Sequence, residues 1–177
     1  LTCIPISFRG IRTHRTNAVD ANEDAIAGFA WVHEHAAELG VDPARIVLAG
    51  GSAGGQIAAT IAFKEAAILD GSARVGEGNQ ASSSSNGTSG VKIGALADPA
   101  RLPKGLILFN PVVETSRPPE RNRKFARKAK AYSPVKLARA CGIRALIFHG
   151  TEDKLVTYAE IEAFAARMNR LGNATQL

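Results

Sequence analysis

The chain has 177 residues, of which 45% are hydrophobic, and carries a formal net charge of +6. That size suits one domain or a piece of one, and the hydrophobic share is ordinary for a globular protein. No apolar run approaches the ~20 residues that cross a bilayer. Two cysteines, Cys3 and Cys141, do not make a disulfide framework and read as reduced, half-buried thiols.

In chain order, Thr2 to Phe8 is a short apolar run read as a strand, closed by Arg9-Gly10. Asp20 to Leu39 reads as a helix, with Asp20 and Glu23 as a capping box. Ile26, Phe29, Ala30, His33 and Ala37 share its apolar face, and Gly40 ends it. Asp42-Pro43 turns the chain into the apolar run Arg45-Ile46-Val47-Leu48-Ala49. Gly50-Gly51-Ser52-Ala53-Gly54-Gly55 follows, then a helix to about Leu69. Residues 70–98, rich in Gly and Ser, cannot bury enough apolar surface to offset chain ordering and read as a surface insertion. Strands are expected at Gly105–Pro111 and Arg144–His149. Helices are expected at Pro119–Ala131, Pro134–Ala140 and Tyr158–Leu171, the last presenting Ile161, Phe164, Ala165 and Met168 on one face. Residues 173–177 approach one more strand.

The basicity is local. Nine of the 22 Lys and Arg lie between Arg117 and Arg139, against one acid, Glu120. A solvated helix face explains this better than a nucleic-acid surface, since only Phe125 and Tyr132 supply aromatic rings there. Continuous apolar strands alternating with helices predict an α/β fold, a mostly parallel sheet covered on both faces. Chemistry in such sheets collects at the C-terminal strand ends, where Ser52, Asn110 and Asp153 all fall.

A strand, a tight glycine turn with serine at its apex, and a helix is the context in which Gly-x-Ser-x-Gly means a nucleophile elbow. Ser52 would stand exposed at a helix N-terminus that favours developing negative charge, and the Ala53 N–H would serve as an oxyanion donor. Gly50 and Gly54 are expected where strand and helix pass too close for a side chain, with Gly51 and Gly55 completing the turn. A phosphate-binding glycine turn is the rival reading, but neither Gly-x-Gly-x-x-Gly nor a P-loop lysine is present.

A serine needs a base, normally histidine, and an acid that orients it. In serine hydrolases of this sheet type the order is Ser, Asp or Glu, then His. Ser52 and Asp153 obey it, with Glu152 as the second choice of acid. No histidine follows Asp153. His33 and His35 share a helix at a spacing unsuited to joint metal ligation. His14 lies in a loop, and His149 reads as a structural hydrogen-bonding residue.

With these residues in place, the sequence resembles an α/β-hydrolase of the esterase/lipase group, near acetyl esterases, hormone-sensitive-lipase-like and xylan-esterase-like proteins. The carriers are Gly50 to Ala59, Asp42-Pro43-Ala44-Arg45-Ile46, Leu108-Phe109-Asn110-Pro111-Val112, Tyr132-Ser133-Pro134-Val135 and His149-Gly150-Thr151-Glu152-Asp153-Lys154-Leu155-Val156. Phe8-Arg9 and Asp24 match in addition. The resemblance implies a doubly wound, three-layer sandwich and hydrolysis of a short-chain or acetylated-carbohydrate ester by Ser52 and Asp153. It implies neither metal nor cofactor, and a small-molecule substrate rather than nucleic acid. It also implies a basic cap over residues 112–140. The family's His-Gly-Gly-Gly loop, its central third strand and its catalytic histidine have no counterpart here. The chain is therefore expected to be an internal part of a longer hydrolase, one partial domain over residues 1–177, inactive and poorly stable alone. A prolyl-oligopeptidase-type peptidase and a non-catalytic hydrolase-like binding protein are the alternatives.

Overall fold

A computed structural model describes residues 1–73, 98–125 and 127–177. Most of the Gly/Ser-rich stretch expected as an insertion over 70–98 therefore lies outside the described residues. The sheet has four parallel strands in the order β1 (Val47–Gly51), β2 (Gly105–Phe109), β3 (Arg144–Phe148) and β4 (Thr175–Gln176). Helices α1 (Ile11–His14), α2 (Ala18–Glu34), α3 (Ala53–Leu69), α4 (Pro119–Arg123), α5 (Pro134–Leu137) and α6 (Tyr158–Arg170) connect and flank them.

Strand order follows chain order without reversal. Parallel crossovers keep one hand, so successive connections stack on the same side of the sheet. Leu106, Leu108, Ala145 and Ile147 accordingly form one core with Ala59, Ala62 and Phe63 of α3 and Ile161, Phe164 and Met168 of α6. Helix α2 packs outside, its Ala21, Ala25 and Phe29 against Ile57 and Ile61 of α3. On the opposite face Val47, Phe109, Leu146 and Phe148 are 36–48% exposed. Of the three layers expected, the described residues supply two.

Three local expectations are corrected. Thr2–Phe8 is not a strand, because a strand needs a ladder partner and none reaches it. Instead Ile6 packs on Gly28 of α2, and Arg9 grips Asp24 through its backbone N–H and a forked guanidinium pair at 2.8–3.1 Å. A hollow of about 450 Å3 separates the segment from β1, lined by Leu1, Thr2, Ile4, Ile6, Val47 and Leu48 among others. Helix α2 is capped by Asn17, not Asp20. The Asn17 side chain accepts from Val19 and Asp20 N–H, and Asp20 closes the box from the third helical position. The helix expected over Pro119–Ala131 is broken into α4 and a 3-10 turn at Ala129–Tyr132. Cys3 is exposed and Cys141 half-buried, both as free thiols.

Candidate active site

Ser52 joins β1 to α3 with φ +51° and ψ −115°. That left-handed conformation is strained for a residue with a side chain, and here three backbone bonds hold it. Its N–H donates to Phe109 O at 2.9 Å, and its carbonyl accepts from Gln56 N–H at 3.1 Å and Val112 N–H at 3.2 Å. The Ser52 side chain makes no capping bond with α3 and the residue is exposed, leaving the hydroxyl free to react. Ala53, first in the helix, has an N–H with no intrahelical acceptor.

The glycines divide differently from expectation. A Cβ on Gly50 would lie 2.4 Å from Gly54 C, and one on Gly55 would lie 2.9 Å from Pro111 Cβ. A Cβ on Gly54 meets nothing within 4 Å, and one on Gly51 comes no nearer than 3.8 Å. The close approach thus falls at Gly50 and Gly55. Gly54 is the residue approached, through its backbone, and its own side has room.

Asp153 lies on the loop after β3. Its Oδ1 accepts the N–H groups of Leu155 at 2.8 Å and Val156 at 3.0 Å. Its Oδ2 stands 3.9 Å from His149 Nε2, beyond hydrogen-bond reach. The Val156 and Leu155 amides, helped by the charges of His149 and Arg121, hold this carboxyl below its usual range. One oxygen is anchored and the other is open to a partner. Glu152 is exposed and pairs loosely with Lys154 at 3.4 Å, so it does not share that support.

Register aligns Gly51, Phe109 and Phe148 across the sheet. Ser52 and the loop that carries Asp153 therefore leave the same sheet end, from strands two spacings or about 10 Å apart, with Asn110 (φ +39°) at the end of the strand between them. His149 is fully buried and engaged with Val156 O at 2.8 Å, as a structural residue. His14 is engaged by Thr13 and Gly10. His33 lies edge-on to Phe29, and burial holds its pKa down. His35 stacks on Trp31.

The segment from Val112 to Ala140 packs beside the elbow. Tyr132 O accepts from Gln56 Nε2 at 2.7 Å and Thr60 Oγ1 at 3.2 Å, and Gln56 exchanges bonds with Asn22 of α2. The Tyr132 hydroxyl donates to Glu23. One cation of the segment ties it to the Asp153 loop. Arg121 reaches Leu155 O in the Asp153 loop and Glu160 Oε1 on α6 at 2.8 Å. Among nine basic residues, nothing in the sequence marks it out. Within the described residues no group of three His, Cys, Asp or Glu is placed to hold a metal, and no helix is long and apolar enough to cross a membrane. An open hollow of about 600 Å3 over the bare sheet face, like the one beside β1, includes neither Ser52 nor Asp153.

Residues 3–168 match the profile of the BD-FAE family. The chain belongs to the BD-FAE family. Esterase 2 of Thermogutta terrifontis is a solved neighbour. In its butyrate-bound form it is 31% identical with a TM-score of 0.72, over 97% of this chain and 58% of that one. The tabun-phosphoramylated form gives 32% identity and a TM-score of 0.69, over 97% and 56%. Carboxylesterase NlhH of Mycobacterium tuberculosis is 58% identical over 40 residues, 23% of this chain and 12% of that protein. Lipase 2 of a Moraxella species is 51% identical over 45 residues, 25% and 10%. This BD-FAE chain thus spans a little over half of the solved esterases and a small part of the curated relatives, and its architecture is that of the α/β-hydrolases.

Proposed function

We propose that this chain carries the nucleophile and the acid of a carboxylic ester hydrolase. The observation that carries the reading is Ser52, held by backbone bonds at positive φ on a strand end with its hydroxyl free. Ser52 Oγ attacks the ester carbonyl and gives its proton to an imidazole. The tetrahedral oxyanion is received by the Ala53 N–H at the positive end of α3. Asp153 presents Oδ2 to the far nitrogen of that imidazole and stabilises its charged form. Collapse expels the alcohol, and water repeats the sequence on the acyl-enzyme. No hydrogen bond joins any of the four histidines to Ser52, and each packs or bonds elsewhere, so on this reading the imidazole is supplied from outside these 177 residues. The segment 112–140 lies beside the elbow as a cap that shapes the acyl or alcohol pocket. Thermogutta esterase 2, solved with butyrate, supports a short acyl chain.

The test is hydrolysis of p-nitrophenyl butyrate by a polypeptide that joins this chain to the parts of Thermogutta terrifontis esterase 2 it does not cover, including a histidine-bearing segment after Leu177, with the 177-residue chain in parallel. The joined protein is expected to turn over. Ser52→Ala should cost roughly 10^6-fold and Asp153→Asn roughly 10^4-fold, as in other triads. Turnover untouched by Ser52→Ala would sink the reading. Brisk, Ser52-dependent turnover by the chain alone would sink the assignment of the base.

A further inference from the structure

The Asp153 loop is held by more than its own turn. Asp153 Oδ1 takes the Val156 N–H at 3.0 Å. The carbonyl of that same peptide group, Leu155 O, accepts from the guanidinium of Arg121. The guanidinium also donates to Glu160 Oε1 at 2.8 Å and to Glu114 O at 3.2 Å. Its side chain is 16% exposed, whereas Arg117, Arg123, Lys124, Arg127 and Lys130 of the same segment are exposed. Glu160 in turn accepts the Thr157 N–H at 3.0 Å, and His149 Nε2 donates to Val156 O at 2.8 Å. Successive peptide groups are thus fastened at both ends, the carbonyl by a cation or imidazole and the N–H by a carboxylate.

We propose that Arg121 is a positioning residue for Asp153, acting through the Leu155–Val156 peptide whose carbonyl it grips and whose N–H the carboxylate accepts. This rests on the reading of Asp153 as the acid of the site. A cation on a carbonyl oxygen polarises the peptide and strengthens the hydrogen bond its N–H makes. That bond keeps Oδ1 turned inward, which leaves Oδ2 as the oxygen that faces a partner. The charged groups that act on Asp153 are His149, just past β3, and Arg121 from α4; Glu160 of α6 is paired with Arg121, and Glu152 and Lys154 of the loop pair with each other in solvent. Of these only Arg121 joins the cap segment to the acid. The cap segment would therefore set the acid's orientation as well as the pocket.

The experiment follows the Asp153 carboxyl by carbon-13 NMR titration, and the Val156 amide by hydrogen exchange, in the joined protein of the ester assay and in its Arg121→Gln, Arg121→Lys and Glu160→Gln variants. In Arg121→Gln the carboxyl is expected to titrate roughly half a pH unit higher, a modest loss of a nearby opposite charge. The Val156 amide should exchange about tenfold faster as its bond weakens. Arg121→Lys should recover part of the carboxyl change, since charge returns without the fork. Glu160→Gln, which leaves the Arg121 charge in place, should not raise the carboxyl. A folded Arg121→Gln with both readouts unchanged overturns the proposal. So does a rise in Glu160→Gln equal to that in Arg121→Gln, which would mean a generally loosened loop. If Arg121→Gln does not fold, Arg121→Lys decides: unchanged Val156 exchange there overturns the proposal. None of these readouts uses hydrolysis, so the esterase reading fails separately, through Asp153→Asn.

Discussion

Alanine at Gly50 tests the elbow most directly. Its Cβ would sit 2.4 Å from Gly54 C, 2.5 Å from Gly54 O and 2.8 Å from Gly55 N. Carbon contacts are comfortable near ~3.5 Å, so the end of β1 and the start of α3 must part by about 1 Å. All three atoms are backbone, and no side-chain rotation relieves them. Overpacking costs roughly 1–3 kcal/mol, and this site belongs at about 3. At Gly55 the nearest atoms are Pro111 Cβ at 2.9 Å and Gly50 O at 3.0 Å, a milder conflict worth about 1–2 kcal/mol. Gly54→Ala meets nothing within 4 Å and needs no positive φ. It gains helix propensity and loses unfolded-chain entropy, stabilising by about 0.5 kcal/mol. Urea unfolding should therefore rank Gly54→Ala at or above the unaltered chain, then Gly55→Ala, then Gly50→Ala, at constant slope. Gly54→Ala unfolding as early as Gly50→Ala would refute the geometric reasoning.

Phe164→Ala empties a fully buried site against Phe63 and should cost about 3–5 kcal/mol by urea unfolding. Arg101→Met strands Glu65, whose side chain is 6% exposed and forked to Arg101 at 3.1 Å. It should cost about 3 kcal/mol, most of it recovered by the double variant Arg101→Met/Glu65→Leu. The Asp153 carboxyl is depressed in the folded chain, so its contribution to stability is complete above the ordinary carboxylate range and disappears as pH falls through its folded value. Urea midpoints of the unaltered chain and Asp153→Asn should therefore differ near neutrality and converge on acidification. A gap that widens toward acid would contradict the sign.

Where local chemistry decides the structure, the sequence was legible. The apolar runs at Val47, Gly105 and Arg144 are strands because each is continuous and ends at a glycine, an asparagine or a histidine-glycine turn. Helix α6 keeps its expected start because Thr157 and Glu160 form a capping box. The positions of Ser52 and Asp153 past strand ends were legible because each follows a continuous apolar run. Thr2–Phe8 was misread because strand propensity does not supply a neighbour. Gly54 was misread because the pattern gives four closely spaced glycines, while the clash depends on which one faces the crossing backbone. Arg121 was invisible because its role lies in three partners, Glu114, Leu155 and Glu160, and two of those contacts are to main chain.

The same rule of handedness that orders the strands also explains why this site is two-sided only in part. Crossovers of one hand, running from β1 toward β4, stack α3 and α6 on one face and bring Ser52 and Asp153 to one sheet end. They leave Val47, Leu146, Phe109 and Phe148 open on the other face. Ser52 thus stands on the outermost strand of the described sheet, where α3 supplies its N-terminus from one side. On the other side lie the free edge of β1 and the hollow lined by Thr2, Ile4 and Ile6. Ligands in open α/β sheets bind where the direction of winding reverses, and among the described residues the sheet is wound in one direction. The strand-end positions of Ser52, the Ala53 N–H and the anchored Asp153 carboxylate are consequences of the winding that is present.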